Sequence, residues 1–157
     1  MNDYIYGLLT FLMGVRRKAR ELALQTLYQY EVNDKPVDNG FSLVCEHFEV
    51  GKKAVPYAGE LVSGVTKKLS EIDSIIQTHA VNWRISRMSS IDRNILRIAT
   101  YELCFAGNVP ASVAINEAIE IAKRYGTEES GAFINGILDA LRKSIIGKDN
   151  AQRTKTG

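Results

Sequence analysis

The amino-acid sequence predicts an all-α protein, a compact chain of about seven helices. Two observations carry this prediction. From Arg16 onward apolar residues recur at spacings of three and four rather than two, and no run alternates as a half-buried strand would. The periodic segments are bounded by Ser, Gly, Asn and Pro, the residues at which helices start and stop. With 157 residues, 45% hydrophobic and 24% charged, the chain holds enough apolar material for one core. It has three prolines and no Gly/Ser-rich stretch, so residues 16–146 are expected to form a single domain.

The first helix is expected to begin at Arg16, with Ala19, Leu22, Ala23, Thr26, Leu27 and Tyr30 as its core stripe, and to end near Asn33, Asp34 and Pro36. Two more run from about Phe41 to Val50 and from about Ala54 to Leu69, separated by Gly51. Ser70 opens a short helix carrying Ile72, Ile75 and Ile76, and Trp83 to Met88 reads as a connector. Ser89 and Ser90 are candidate N-caps for a helix with Ile91, Ile95 and Ile98 inward, which must stop before Pro110. The next buries Ile115, Ala118, Ile119 and Ala122 and ends at Gly126; Thr127 is expected to cap the last, whose stripe is Phe133, Ile137, Ala140 and Leu141.

Residues 1–15 form a mostly apolar extension, interrupted by Gly7 and Gly14. It lacks the positive start of a secretory signal and is too short to span a bilayer, so no secretion and no membrane association are expected. It reads as a flexible appendage or an over-extended start ahead of Met13. Residues 147–157 read as a basic tail that frays. Cys45 and Cys104 lie far apart, without C-x-x-C spacing, which suits a reducing cytoplasm. Cys45 and His47 make a C-x-H pair, but a zinc site needs three or four ligands and ordinary helix packing explains the pair better.

Net charge is only +2, yet Arg16, Arg17, Lys18 and Arg20 place four cations within five residues, and the rest of the chain is slightly acidic. At a helix N-terminus such a cluster opposes the macrodipole, at about 0.3–1 kcal/mol per cation. A helical wheel puts Arg17, Arg20, Glu21, Leu24 and Tyr28 opposite the core stripe, facing solvent. Cations for phosphates beside a ring for base stacking make an RNA-binding composition. Four phosphate contacts on a single strand give a salt slope of about −2.8, so a rise from 50 to 200 mM salt costs roughly fifty-fold. The cluster therefore needs base contacts elsewhere or a partner protein.

Glu102 falls in the apolar sector of Ile91, Ile95 and Ile98; it either pairs inside the protein or emerges at a cleft and meets a ligand. Glu128 and Glu129 complement the dipole of the last helix. Asn135-Gly136 weakens that helix's interior and suggests close approach by another helix or a ligand. No nucleophile, acid–base pair or phosphate-cradling loop has a recognisable spacing, so neither catalysis nor a cofactor is expected.

From Arg16 to about Leu141 the chain resembles the NusB family of transcription antitermination factors. The segments that carry this are RRKARELALQTLY at 16–28, ILRIATYEL at 95–103, Val109-Pro110, AINEAIEIAK at 114–123 and FINGILD at 133–139. Their order and spacing are specific. The resemblance implies two abutting helical bundles and a cytoplasmic factor that binds boxA-containing single-stranded RNA with NusE, a ribosomal small-subunit protein. Such a factor helps RNA polymerase elongation complexes read through terminators, notably in ribosomal RNA operons. It also implies that Arg16, Arg17, Lys18 and Arg20 are the arginine-rich RNA-binding segment with Tyr28 beside it, and that Glu102, Glu129 and Phe133 lie at or near the RNA and NusE surface.

The apolar extension and the basic tail depart from the family pattern. Directly preceding the binding segment, the extension is positioned to cover that face or to support a homodimer without RNA. Two other classes fit parts of the chain. One is an enzyme, since NusB-like domains precede ribosomal RNA cytosine methyltransferase domains, but no Rossmann-type glycine motif follows here. The other is a helical scaffold that binds protein alone.

Overall fold

The computed structural model describes residues 3–34, 40–47 and 51–156, and among them there are seven α-helices and no strand. Pro36 and residues 48–50 lie outside the described residues. Two compact units divide the chain, 1–67 and 68–157.

The first unit contains α1 (Asp3–Val32), α2 (Gly40–His47) and α3 (Val55–Lys67). α1 runs without a break through the segment expected to be an appendage, because Gly7 and Gly14 cost a helix only about 1 kcal/mol each and no proline intervenes. It ends where Asn33 and Asp34 turn the chain: Asn33 donates from its backbone N–H and its Nδ2 to Gln29 O, and Asp34 takes φ 61°, a conformation that Asp tolerates. Ala19, Leu22, Val44, Ala54 and Ala58 form a buried cluster, with Val15, Phe41, Cys45 and Tyr57 packed against it. Cys45 thus serves as a packing residue of α2. α3 follows a 3₁₀ turn (Lys52–Ala54) and buries Ala58, Leu61, Val62 and Val65, one stripe of a helical wheel.

The second unit contains α4 (Leu69–His79), α5 (Ser90–Tyr101), α6 (Ala111–Tyr125) and α7 (Ser130–Lys155). α6 packs against α5 and α7, and α4 packs against the same two helices. Arg97 clamps α5 to α4, its Nε and Nη2 each 2.8 Å from a different carboxylate oxygen of Asp73. Ser89 caps α5 as expected, its Oγ accepting the Asp92 N–H at 3.1 Å. A π-helical turn (Glu102–Ala106) continues α5 and ends at Gly107, whose φ of 73° needs a residue without Cβ.

Near the end of the chain one expected cap is corrected. Thr127 does not cap α7; its N–H donates to Ser130 Oγ at 2.9 Å, and that buried hydroxyl presses so closely on Gly126 that a Cβ there would lie 2.5 Å away. Among the described residues no other helix approaches Gly136, which has open space where a Cβ would stand. Helix α7 continues through most of the basic tail, to Lys155. The core of α7 is centred on Ile134, Ile137, Leu138 and Leu141, about one position beyond the expected stripe, which leaves Phe133 half-buried at its edge.

Candidate nucleic-acid interface

The basic segment of α1 lies well inside the helix, since Asp3 occupies the first turn. Macrodipole effects fade within a turn, so the expected conflict between these cations and a helix N-terminus does not exist. Burial divides the cluster instead. Arg17 and Lys18 are exposed and Arg16 is half-buried, but Arg20 is only 2% exposed. Leu24, expected on the solvent side, is also buried. A wheel with a single core stripe fails here because α1 is covered over more than one stripe.

Tyr57 of α3 organises the inner part of the cluster. The Cζ atoms of Arg16 and Arg20 lie 5.0 and 5.8 Å from its ring centroid. Each such contact stabilises by roughly 0.5–2 kcal/mol and fixes a guanidinium that would otherwise sample many rotamers. Arg17 and Lys18 stay on the exposed surface, and Tyr28, 39% exposed, follows three turns along the helix, about 16 Å from Arg17.

Phe133 and Glu129 come together in the second unit. Phe133 meets Trp83 edge to face, ring centroids 5.6 Å apart, and these rings, with Met88, Asp92 and Glu129, line a cavity of about 330 Å³. Asp92 Oδ1 is buried there without a hydrogen-bond partner. Trp83 is 58% exposed, yet its backbone is fixed. Gln77 Nε2 donates to Trp83 O at 2.9 Å and Gln77 Oε1 accepts the Ile85 N–H, while Arg93 Nη1 donates to Ile85 O and Met88 O. Glu102 is 2% exposed at the start of the π-helical turn and interacts within the folded chain.

The structure thus groups Arg16 and Arg20 around Tyr57 in one unit, and Glu129 and Phe133 around Trp83 in the other. Sequence reasoning missed both aromatic centres. Tyr57 sits in the first turn of α3, and only the packing of α3 on α1 brings it to the arginines. Trp83 read as connector, although it is the chain's single tryptophan. No described residues form a group of three or more His, Cys, Asp or Glu able to hold a metal ion.

Exposed cations beside aromatic rings on an all-helical frame define a helical protein whose surface has the composition of nucleic-acid binders. The chain belongs to the NusB family, which it matches over residues 17–143. It is 45% identical over 143 residues to the transcription antitermination protein NusB of Desulfatibacillum aliphaticivorans, covering 91% of this chain and all of that one. A solved T. maritima NusB superposes with a TM-score of 0.75 at 43% identity, over 82% of this chain and 90% of the other. Another solved structure, of the antitermination factors NusB and NusE in complex with dsRNA, gives 0.77 at 32% identity, over 84% and 98%. No described helix is long and apolar enough to cross a membrane.

Proposed function

We propose that this protein binds the boxA element of nascent single-stranded RNA jointly with NusE, within a transcription elongation complex in the cytoplasm. Bound there, it helps RNA polymerase read through terminators, notably in ribosomal RNA operons. The observation that carries this reading is the exposed Arg17, Lys18 and Tyr28 on α1 of a NusB-family chain. Arg17, Lys18 and the outer edge of Arg16 take phosphates, and a base stacks on Tyr28, a contact worth about 1–3 kcal/mol. Arg20, buried against Tyr57, serves the segment as a positioning residue.

The Trp83 and Phe133 rings offer NusE an apolar socket with Glu129 on its lining, and the family resemblance assigns Glu102, buried at the start of the π-helical turn, to the partner region as well. That a relative was captured with both NusE and RNA supports the pairing. Titration of labelled boxA RNA with this protein, with NusE and with the mixture tests the reading. The mixture is expected to bind more tightly than either alone, and more weakly as salt rises. Undetectable or salt-insensitive binding in all three overturns it.

A further inference from the structure

Beside the basic segment lies a second feature that the boxA reading does not use. A cavity of about 600 Å³, within the roughly 300–1,000 Å³ range of ligand pockets, opens between α1 and the 3₁₀ turn that precedes α3. Phe11, Val15 and Ala54 make its apolar wall, and Lys18, Lys52 and Lys53 stand around it. Gly14 and Gly51 also line it, and a Cβ on either would meet open space, so the backbone is approachable there. Phe11 is 49% exposed, and the Lys53 ammonium lies 4.8 Å from its ring centroid. Lys52 and Lys53 are both exposed.

We infer that this groove takes a nucleotide of the RNA that flanks boxA, its base against Phe11 and its phosphates on Lys52 and Lys53. The inference rests on the RNA-binding reading above and extends it. Lys18 belongs both to the groove and to the basic segment, so a strand leaving Arg17 and Lys18 enters the groove without crossing a neutral gap. Phe11 and Lys18 are two helical turns apart, about 10 Å. An aromatic wall with lysines around it is the composition that binds single strands without reading their sequence. A second copy of this chain suits the groove less well. A two-fold contact centred on the groove would gather six lysines, Lys18, Lys52 and Lys53 from each copy, into one interface and bring like charges close.

The test uses the full chain with NusE and two labelled RNAs, boxA alone and boxA flanked on each side by about six unstructured nucleotides, a length that one stacking groove can hold. Wild type is expected to bind the flanked RNA roughly ten-fold more tightly, as one stacked base and two phosphate contacts allow. Phe11→Ala and the double variant Lys52→Ala/Lys53→Ala should each lose most of that gain and keep wild-type affinity for boxA alone. In the double variant the salt slope on flanked RNA should flatten by about 1.4. Equal wild-type affinity for the two RNAs overturns the inference, as does an equal loss on both RNAs in the variants. Variants that convert a dimer to monomer in sedimentation, with RNA binding unchanged, also overturn it and assign the groove to a second copy. If wild type binds boxA alone in an Arg17-dependent way and the flank adds nothing, only this inference fails. If it binds neither RNA, the proposed function fails with it.

Discussion

Arg17 and Arg20 stand one helical turn apart on α1 and do different work, because one guanidinium meets water and the other is 2% exposed against Tyr57. Arg17→Ala is expected to weaken RNA binding, flatten its salt slope by about 0.7 and lower the thermal midpoint less than Arg20→Ala does, because Arg17 is exposed. Arg20→Ala removes buried contacts, a change that costs about 1–3 kcal/mol, and should lower the midpoint by roughly 2–4 °C per kcal/mol. Thermal melts beside RNA titrations separate the two roles. Cys104 gives a second residue-level test. Burial first, and then the Glu71 carboxylate, push its thiol pKa up, with Lys148 opposing them. Both leading effects disfavour the thiolate, so at pH 8 a Cys45→Ala variant should react with iodoacetamide more slowly than a free thiol does. Glu71→Gln should speed that reaction, and an unchanged rate would remove Glu71 as a cause.

At the scale of the element, two glycines make opposite predictions. Gly126 closes α6 under the Ser130 hydroxyl, so Gly126→Ala forces atoms that a Cβ would meet at 2.5 and 2.7 Å to move, at a cost of about 1–3 kcal/mol. Gly136 is an exposed interior position of α7 with nothing near it, so Gly136→Ala should stabilise by up to about 1 kcal/mol. Urea unfolding of both variants checks the signs. Most helix ends were legible because their determinants are local: the Ser89 hydroxyl, the missing N–H of Pro110, the lack of a side chain at Gly126. The start of α1 was not. The basic segment looked like a helix beginning, yet the apolar residues before it extend the same helix.

For the whole molecule, burial of Arg20 reduces the basic segment from four phosphate-binding cations to three. The expected salt slope from that segment alone falls to about −2.1, or roughly eighteen-fold in affinity between 50 and 200 mM. Titration of boxA RNA alone across that range should return this slope. A slope near −3.5 would already include Lys52 and Lys53, two cations outside the segment. The division into two units adds a constraint, since the α1 cations and the Trp83 cavity belong to different units. A factor with two such surfaces suits joint binding of RNA and protein better than binding of either alone.

By itself the sequence determined the fold class, the order of the helices and most of their ends, since hydrophobic period and capping chemistry act within a few residues. It also located the cationic segment, whereas Phe133 and Glu129 entered as site candidates only through the family resemblance. Tertiary structure alone decided which of those cations meet solvent. Burial of Arg20 and Leu24 depends on how many sides of α1 are covered, and a one-stripe wheel cannot represent that. Only packing set Tyr57 beside two arginines and Trp83 beside Phe133, because contacts between residues remote in sequence leave no periodic trace in it.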